Sequence, residues 1–292
     1  MRIRKAVLPV AGLGTRVLPA TKVIPKELLP IVDKPTLQYI VEEAVEAGIE
    51  EIIFVTSRSK RAIEDHFDAF PELEQALERK GKKKELEELR RVQQMAKYVA
   101  VRQAEPLGLG HAVLCAKEAV GDEPFIVMLG DEIFAPETPC LPDMIEVYNK
   151  YQTTVISMFT TPREQISSYG IASVKELEKD VFQVLDLVEK PAIEEAPSDL
   201  AVAGRYILTP DIFAILEKTA PGRGNEIQLT DGLLAQARQG RCHGIHFMGQ
   251  RYDMGTPLGL LTTSIAWALR DPRIEPALRG YMQQALNNII PV

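Results

Sequence analysis

Residues 9–22 read P-V-A-G-L-G-T-R-V-L-P-A-T-K, directly after the apolar run Ala6-Val7-Leu8. A first strand followed by two glycines, a Thr, an Arg and a Lys is how an α/β chain brings backbone N–H groups and cations up to phosphate. Spacing excludes two common phosphate loops. A Rossmann dinucleotide fingerprint wants a third glycine where this chain has Val17, and a Walker A loop wants Gly-Lys-Ser/Thr after a four-residue gap, which nothing here supplies.

Outward from this loop, strand and helix signals alternate. Lys5–Ala11 is a continuous apolar strand, as expected when both faces of a parallel sheet are covered. Thr36–Ala47 has helical periodicity in Leu37, Ile40, Val41, Ala44 and Val45 and ends at Gly48. Glu51–Thr56 reads as a strand, Ser59–Phe67 as a helix, Tyr98–Gln103 as a strand, His111–Val120 as a helix ended by Gly121, and Phe125–Leu129 as a strand. This alternation predicts a doubly wound, largely parallel sheet. In the second half, Thr154–Thr160 and Leu200–Leu208 read as strands, and Ile171–Val174 with Val181–Val188 as a hairpin around Lys179-Asp180. Pro210–Lys218 reads as a helix, and 257–288 as helical with an interruption near Asp271-Pro272. The expected fold is α/β: a Rossmann-like doubly wound mixed sheet, treated as one domain over 1–292. It would comprise a nucleotide-type half over 1–135, an inserted second lobe over 136–255, and C-terminal helices over 256–292. Residues 72–97, where Glu alternates with Lys and Arg, read as a solvated helical excursion rich in ion pairs.

Of the 292 residues, 46% are hydrophobic and 26% charged, as in an ordinary globular protein able to bury a large core. The net charge of −7 argues against nucleic acid as a partner, although a local Arg and Lys cluster can still set the field in a cleft. Cys115, Cys140 and Cys242 are odd in number and widely spaced, which suits reduced thiols. The N-terminus enters a strand without a secretory apolar region, and no apolar run approaches the ~18 residues of a membrane helix. A cytoplasmic protein with no membrane partner is expected.

In open α/β sheets, ligands bind beyond the carboxyl ends of the strands. The sequence puts Gly12-Leu13-Gly14-Thr15-Arg16 at one such end, a loop with Gly108 and Gly110 after the strand ending at Gln103, and Gly130-Asp131-Glu132 after a third. Each alone has a plain structural reading, the glycines as tight turns and Asp131 as a cap. Their joint appearance points to one crevice in which glycine-freed N–H groups approach phosphates. A carboxylate beside phosphates makes sense chiefly with Mg²⁺ between them. Glu189-Lys190 ends a further strand and Asp253 precedes a helix, positions that would otherwise read as a surface pair and a helix start. Cys242-His243-x-x-His246 is a poor metal motif, because Cys242 and His243 point to opposite faces of an extended segment. No G-x-S-x-G and no Cys/His pairing suggests a covalent nucleophile.

The opening motif GLGTR (12–16), followed by PATKVIPKELLPIVDKP (19–35), resembles the signature of the sugar-phosphate nucleotidyltransferases. The likeness covers nearly the whole chain, through GLGHAVLCA (108–116), GDEPF (121–125), YGI (169–171), VEKP (188–191), APSDLAVAGRYIL (196–208), GNEIQLTD (224–231) and YDMGT (252–256). GNEIQLTD and the 65–75 segment favour the bacterial uridylyl-transferring branch over its thymidylyl relatives. Gly130 stands where many relatives carry Pro or Ala, and the tail after residue 270 carries no family motif.

The resemblance implies the reaction UTP + α-D-glucose 1-phosphate ⇌ UDP-glucose + pyrophosphate, dependent on Mg²⁺, in a homodimer or homotetramer. Carried over by residue, it implies that Gly12, Gly14, Thr15 and Arg16 wrap the triphosphate and that Lys26 reaches the same phosphates. Gln103 and Gly108 would read the uracil edge, assisted by Ala11 and Glu27. Asp131 and Asp253 would hold Mg²⁺, Gly170, Glu189, Val202 and Gly204 would line the glucose site, and Lys190 would grip the sugar phosphate. Two alternatives stay open: a preference for dTTP or another sugar 1-phosphate, and a non-catalytic sugar-nucleotide sensor on the same fold. The sensor has no need of Arg16, Lys26, Asp131 and Asp253, which are all present. An NAD oxidoreductase is disfavoured by Val17 and by Thr56-Ser57-Arg58, which lacks the acid that a ribose would require.

Overall fold

In the first strand, β1 (Lys5–Pro9), side chains alternate between two apolar clusters. Ala6 and Leu8 enter one and Val7 the other, so β1 is covered on both faces. The second strand, β2 (Glu51–Thr56), repeats the pattern, with Ile52 and Phe54 in the first cluster and Ile53 and Val55 in the second. This computed structural model describes residues 2–287. Along the chain follow β3 (Lys97–Arg102), β4 (Phe125–Met128), β5 (Thr154–Thr160), β6 (Gly170–Glu178), β7 (Val181–Glu189), β8 (Leu200–Leu208) and β9 (Cys242–His246). Together they make a nine-stranded sheet in the order β3-β2-β1-β4-β8-β5-β9-β7-β6.

The β3-β2-β1-β4 portion is parallel, β8 runs antiparallel to both β4 and β5, and β6 and β7 form an antiparallel hairpin. The mixed α/β sheet expected from the sequence is therefore present, and strands of the second half continue the sheet of the first. Helices Thr36–Glu46 and Leu141–Tyr151 supply apolar residues to one cluster, and Leu109–Cys115, Asp211–Leu216 and Leu229–Ala237 to the other. The chain runs outward from β1 to β3 and then returns to β4 on the opposite side of β1. That reversal is a topological switch point, and the carboxyl ends beside it lead to Gly12 and Asp131.

The structure divides one expected helix, keeps the expected interruption near Asp271-Pro272, and adds a short ribbon. The single helix read over 111–120 is two, Leu109–Cys115 and Lys117–Val120, because the turn tightens where Ala116 N donates to Val113 O. The C-terminal run is Pro257–Ala268 and Glu275–Leu286, and residue 288, the end of the expected run, lies outside the described residues. A two-stranded ribbon, Glu132–Phe134 with Arg251–Asp253, went unread because three-residue strands carry no periodicity. The charged excursion folds as Pro71–Arg79 and Lys83–Gln94, tied by Arg90 to Glu74 at 2.8 Å and to Glu78 at 2.7 Å. Among the described residues, no helix is long and apolar enough to cross a membrane.

Candidate active site

Gly14 has φ +68°, a left-handed conformation that favours glycine, and a Cβ there would lie 3.3 Å from the Lys26 Cβ. Thr21 Oγ1 donates to the Gly14 carbonyl at 2.7 Å, so the loop closes on itself. It continues as short 3₁₀ turns, with Thr15–Val17 and Lys26–Leu28 carrying Arg16 and Lys26. Ala11, Gly12, Gly14 and Thr15 line one wall of a cavity of about 380 Å³, and Gln103 and Gly108 line another. Gly108 (φ +98°) packs so tightly that a Cβ would come 2.7 Å from the Glu226 Cβ and 2.8 Å from the Ile227 carbonyl oxygen.

A second cavity, of about 270 Å³, shares Leu109 and Glu226 with the first. Arg16, Asp131, Gly170, Glu189, Lys190, Val202 and Asp253 all line it. Arg16, Glu189, Lys190 and Asp253 also face a wider cleft of about 1010 Å³. The unread ribbon explains how Asp253 reaches Asp131: Asp253 pairs with Glu132, and Met254 N donates to the Asp131 carbonyl at 2.8 Å. A Cβ built on Gly255 would lie 3.0 Å from Asp253 Oδ1, 3.5 Å from Asp131 Oδ2 and 3.6 Å from Arg16 Nη1. Two carboxylates and a guanidinium thus surround one small space. Lys26 Nζ donates to Asp131 Oδ2 at 2.5 Å. Burial pulls the Lys26 amine down, but the charge of Asp131 and its hydrogen bond outweigh it and raise the pKa above the usual lysine value.

At the end of β7, Lys190 has φ +45°, a backbone conformation that a lysine rarely adopts. Consecutive residues of a regular strand face opposite sides, whereas here Glu189 and Lys190 line the same cavity, with Lys190 Nζ 3.2 Å from Glu189 Oε1. Thr230 Oγ1 donates to Glu189 Oε2 at 2.5 Å, and Lys190 N to the Tyr169 carbonyl at 3.0 Å, fixing the pair from two sides.

Three residues expected at the site, Lys26, Glu27 and Gly204, lie off the cavities, and Lys26 meets the site through Asp131. Glu27 is buried beneath the loop and accepts from Lys60 Nζ at 2.7 Å; burial pushes its pKa up and Lys60 partly offsets this. Gly204 lies within β8, where its N–H donates to Glu132 Oε2 at 3.0 Å and a Cβ would come 2.9 Å from the Leu129 Cβ. Gly130, the departure from the family pattern, leaves room for Glu27, whose Cγ would sit 3.0 Å from a Cβ at that position. Sequence reasoning gave no individual role to Glu226, Gln228 or Thr230, which line the second cavity; their only signal was the motif GNEIQLTD. Nor did it see Arg251, whose Nη1 lies 3.2 Å from Glu132 Oε1.

Behind the acidic pair, the side chain of Arg205 is fully buried. Its guanidinium meets Glu43 at 2.6 Å, donates to the Glu132 carbonyl at 3.0 Å and to the Gly204 carbonyl at 3.1 Å, and covers the ring of Phe134. It therefore ties the helix Thr36–Glu46 to the backbone just after Asp131.

The family model described as "Nucleotidyl transferase" matches residues 5–267. The UTP–glucose-1-phosphate uridylyltransferase of Bacillus subtilis (strain 168) is 50% identical over 286 residues, covering 98% of each chain. A crystal structure of UDP-glucose pyrophosphorylase complexed with UDP-glucose superposes with a TM-score of 0.84 at 45% identity, covering 92% of this chain and 100% of the other. A UTP-bound UGPase from Acinetobacter baumannii gives a TM-score of 0.89 at 41% identity, covering 97% and 99%. With likeness of this extent in both sequence and fold, the chain belongs to the nucleotidyl transferase family and, within it, to the UTP–glucose-1-phosphate uridylyltransferases.

Proposed function

We propose that this chain transfers the uridylyl group of UTP to α-D-glucose 1-phosphate, releasing pyrophosphate and UDP-glucose, with Mg²⁺ bound between Asp131 and Asp253. The observation that carries this reading is the junction of two cavities. One presents the Gln103 amide, and the other gathers Arg16, Lys190, Asp131 and Asp253.

The attacking atom is a phosphate oxygen of the sugar phosphate, already ionised at neutral pH, so no side chain has to remove a proton. The barrier lies in bringing several negative charges together, in line, at the α-phosphorus. Positioning and charge neutralisation are what the protein must supply. In this reading, backbone around Gly12, Gly14 and Thr15 receives the triphosphate while Ala11, Gln103 and Gly108 hold the uracil. Arg16 and Lys26 neutralise the triphosphate, and Arg16 stabilises the departing pyrophosphate. Gly170, Glu189 and Val202 form the glucose site, with Glu189 accepting from sugar hydroxyls. Lys190 grips the sugar phosphate. Glu27 and Gly204 act from behind, through Lys60 and Glu132.

The residues present suit Mg²⁺. Asp131 and Asp253 approach one space and offer it two carboxylates. Such a sparse donor set is typical of Mg²⁺, which takes one or two carboxylates and completes its shell with substrate phosphates and water. When bound, the ion would neutralise phosphate charge beside Arg16 and Lys26.

The test is pyrophosphate release from UTP, with and without glucose 1-phosphate and Mg²⁺, beside parallel reactions with dTTP, ATP, CTP and GTP. Release that needs both sugar phosphate and metal, and is fastest with UTP, is the expected result. A preference for dTTP moves the substrate assignment, and no release with any nucleotide rejects the reading. Lys190→Ala is expected to raise KM for glucose 1-phosphate by about 10–100-fold, as for the loss of a charged hydrogen bond, with a smaller change for UTP. Initial-rate kinetics with each substrate varied in turn check this, and the reverse pattern overturns the role.

A further inference from the structure

The Gln103 side chain is 6% exposed and lines the first cavity. Its Nε2 lies 3.1 Å from the Gly108 carbonyl oxygen and 3.0 Å from His111 Nδ1. An amide has two ends of similar shape, and its neighbours decide which carries the hydrogens. A carbonyl oxygen only accepts, so the Gly108 contact requires the NH₂ end to face it. With one hydrogen on Gly108, the other points at His111 Nδ1, which must then accept, and a neutral ring carries its proton on Nε2. Both hydrogens are thereby committed to protein. The remaining group is the acceptor Oε1, for which no protein partner is found among the described residues.

His111 is well placed to act as the lock. It stands in the first turn of Leu109–Cys115, and Gly110 N holds that turn to the Ile227 carbonyl at 2.8 Å. Cys115 Sγ, one turn on, touches both ring nitrogens at 3.9 Å. Rotating the Gln103 amide by half a turn would set Oε1 against two acceptors at once, Gly108 O and His111 Nδ1.

We propose that His111 is a positioning residue that holds Gln103 with its acceptor toward the base, so that the site selects a base presenting a ring N–H over one presenting a ring-nitrogen lone pair. Uracil and thymine offer N3–H, whereas cytosine offers a bare N3, which would face Oε1 lone pair to lone pair. A rotated amide would reverse that preference. The inference rests on the uridylyltransferase reading, which assigns the first cavity to the base.

The test compares kcat/KM for UTP and for CTP, at saturating glucose 1-phosphate and Mg²⁺, in the full chain and two variants. His111→Phe keeps a ring but removes the acceptor, and His111→Asn returns an acceptor near the position of Nδ1. In His111→Phe the UTP-to-CTP ratio is expected to fall about tenfold, the worth of one neutral hydrogen bond, with the loss chiefly in KM for UTP. In His111→Asn it should return toward the wild-type ratio, which a merely structural role of the ring would not produce. His111→Ala makes the same comparison if the Phe variant does not fold. An unchanged ratio in the acceptor-free variant, or an equal fall for both nucleotides, overturns the lock alone. A wild-type chain indifferent between UTP and CTP overturns the uridylyltransferase reading, and the lock with it.

Discussion

Asp131→Asn is expected to lower turnover by roughly 10²–10³-fold, the scale on which a single charge-stabilising group acts in a preorganised site, while leaving the fold in place. Asparagine has nearly the same shape, so the Met254 N–H to residue 131 carbonyl bond, which is backbone, is retained. What disappears is the negative charge that faces Asp253 and Arg16 and accepts from Lys26 at 2.5 Å. Lys26 then loses the interaction that raises its pKa, and Mg²⁺ loses one of its two proposed carboxylates. Steady-state rates measured across a Mg²⁺ titration, with a thermal melt as control, check this. The loss should persist at Mg²⁺ concentrations that saturate the wild type. A variant keeping more than about a tenth of wild-type turnover would remove Asp131 from the reaction.

Arg205→Met is expected to cost about 3–5 kcal/mol of stability, because it leaves Glu43 largely buried with its charge uncompensated. At the usual relation between stability and melting point for a chain of this size, that is a fall of roughly 10 °C. The double variant Arg205→Met/Glu43→Leu should recover much of the loss, since removing both charges leaves no orphan ion. Recovery should stay incomplete, because the Glu132 and Gly204 carbonyls still lose their donor. Chemical denaturation of the single and double variants tests the point. A single variant within about 0.5 kcal/mol of wild type, the range of ordinary surface changes, would show that the pair does not matter.

How far the site was legible in the sequence follows from how local each signal is. The phosphate loop could be read because glycine, threonine and basic residues directly after an apolar strand are neighbours in the chain, and their spacing excludes other loop types. Gly108 was found by the same rule, from its place just beyond a strand, whereas the role of Gln103, at that strand's end, came from the family resemblance. Asp131 was found as a strand-end acid. Its approach to Asp253 was not legible from spacing, because 122 positions separate them and the ribbon that joins them is only three residues long on each side. Only the family resemblance suggested that pairing. Glu27 shows the opposite limit: an acid inside a recognisable motif was expected at the nucleotide, and the fold turns it inward onto Lys60.

By itself, then, the sequence determined the alternation of strands and helices, the mixed α/β sheet and the crevice at its carboxyl ends, since apolar periodicity and turn residues act over short stretches of chain. It also carried motifs dense enough to indicate the family. The tertiary structure decided which charges meet. It set Lys26 on Asp131, Arg205 on Glu43 and His111 against Gln103, and turned Lys190 to the same side as Glu189. Charge pairing and amide orientation depend on distances and burial between segments far apart in the chain. No local pattern encodes those distances until the sheet has assembled.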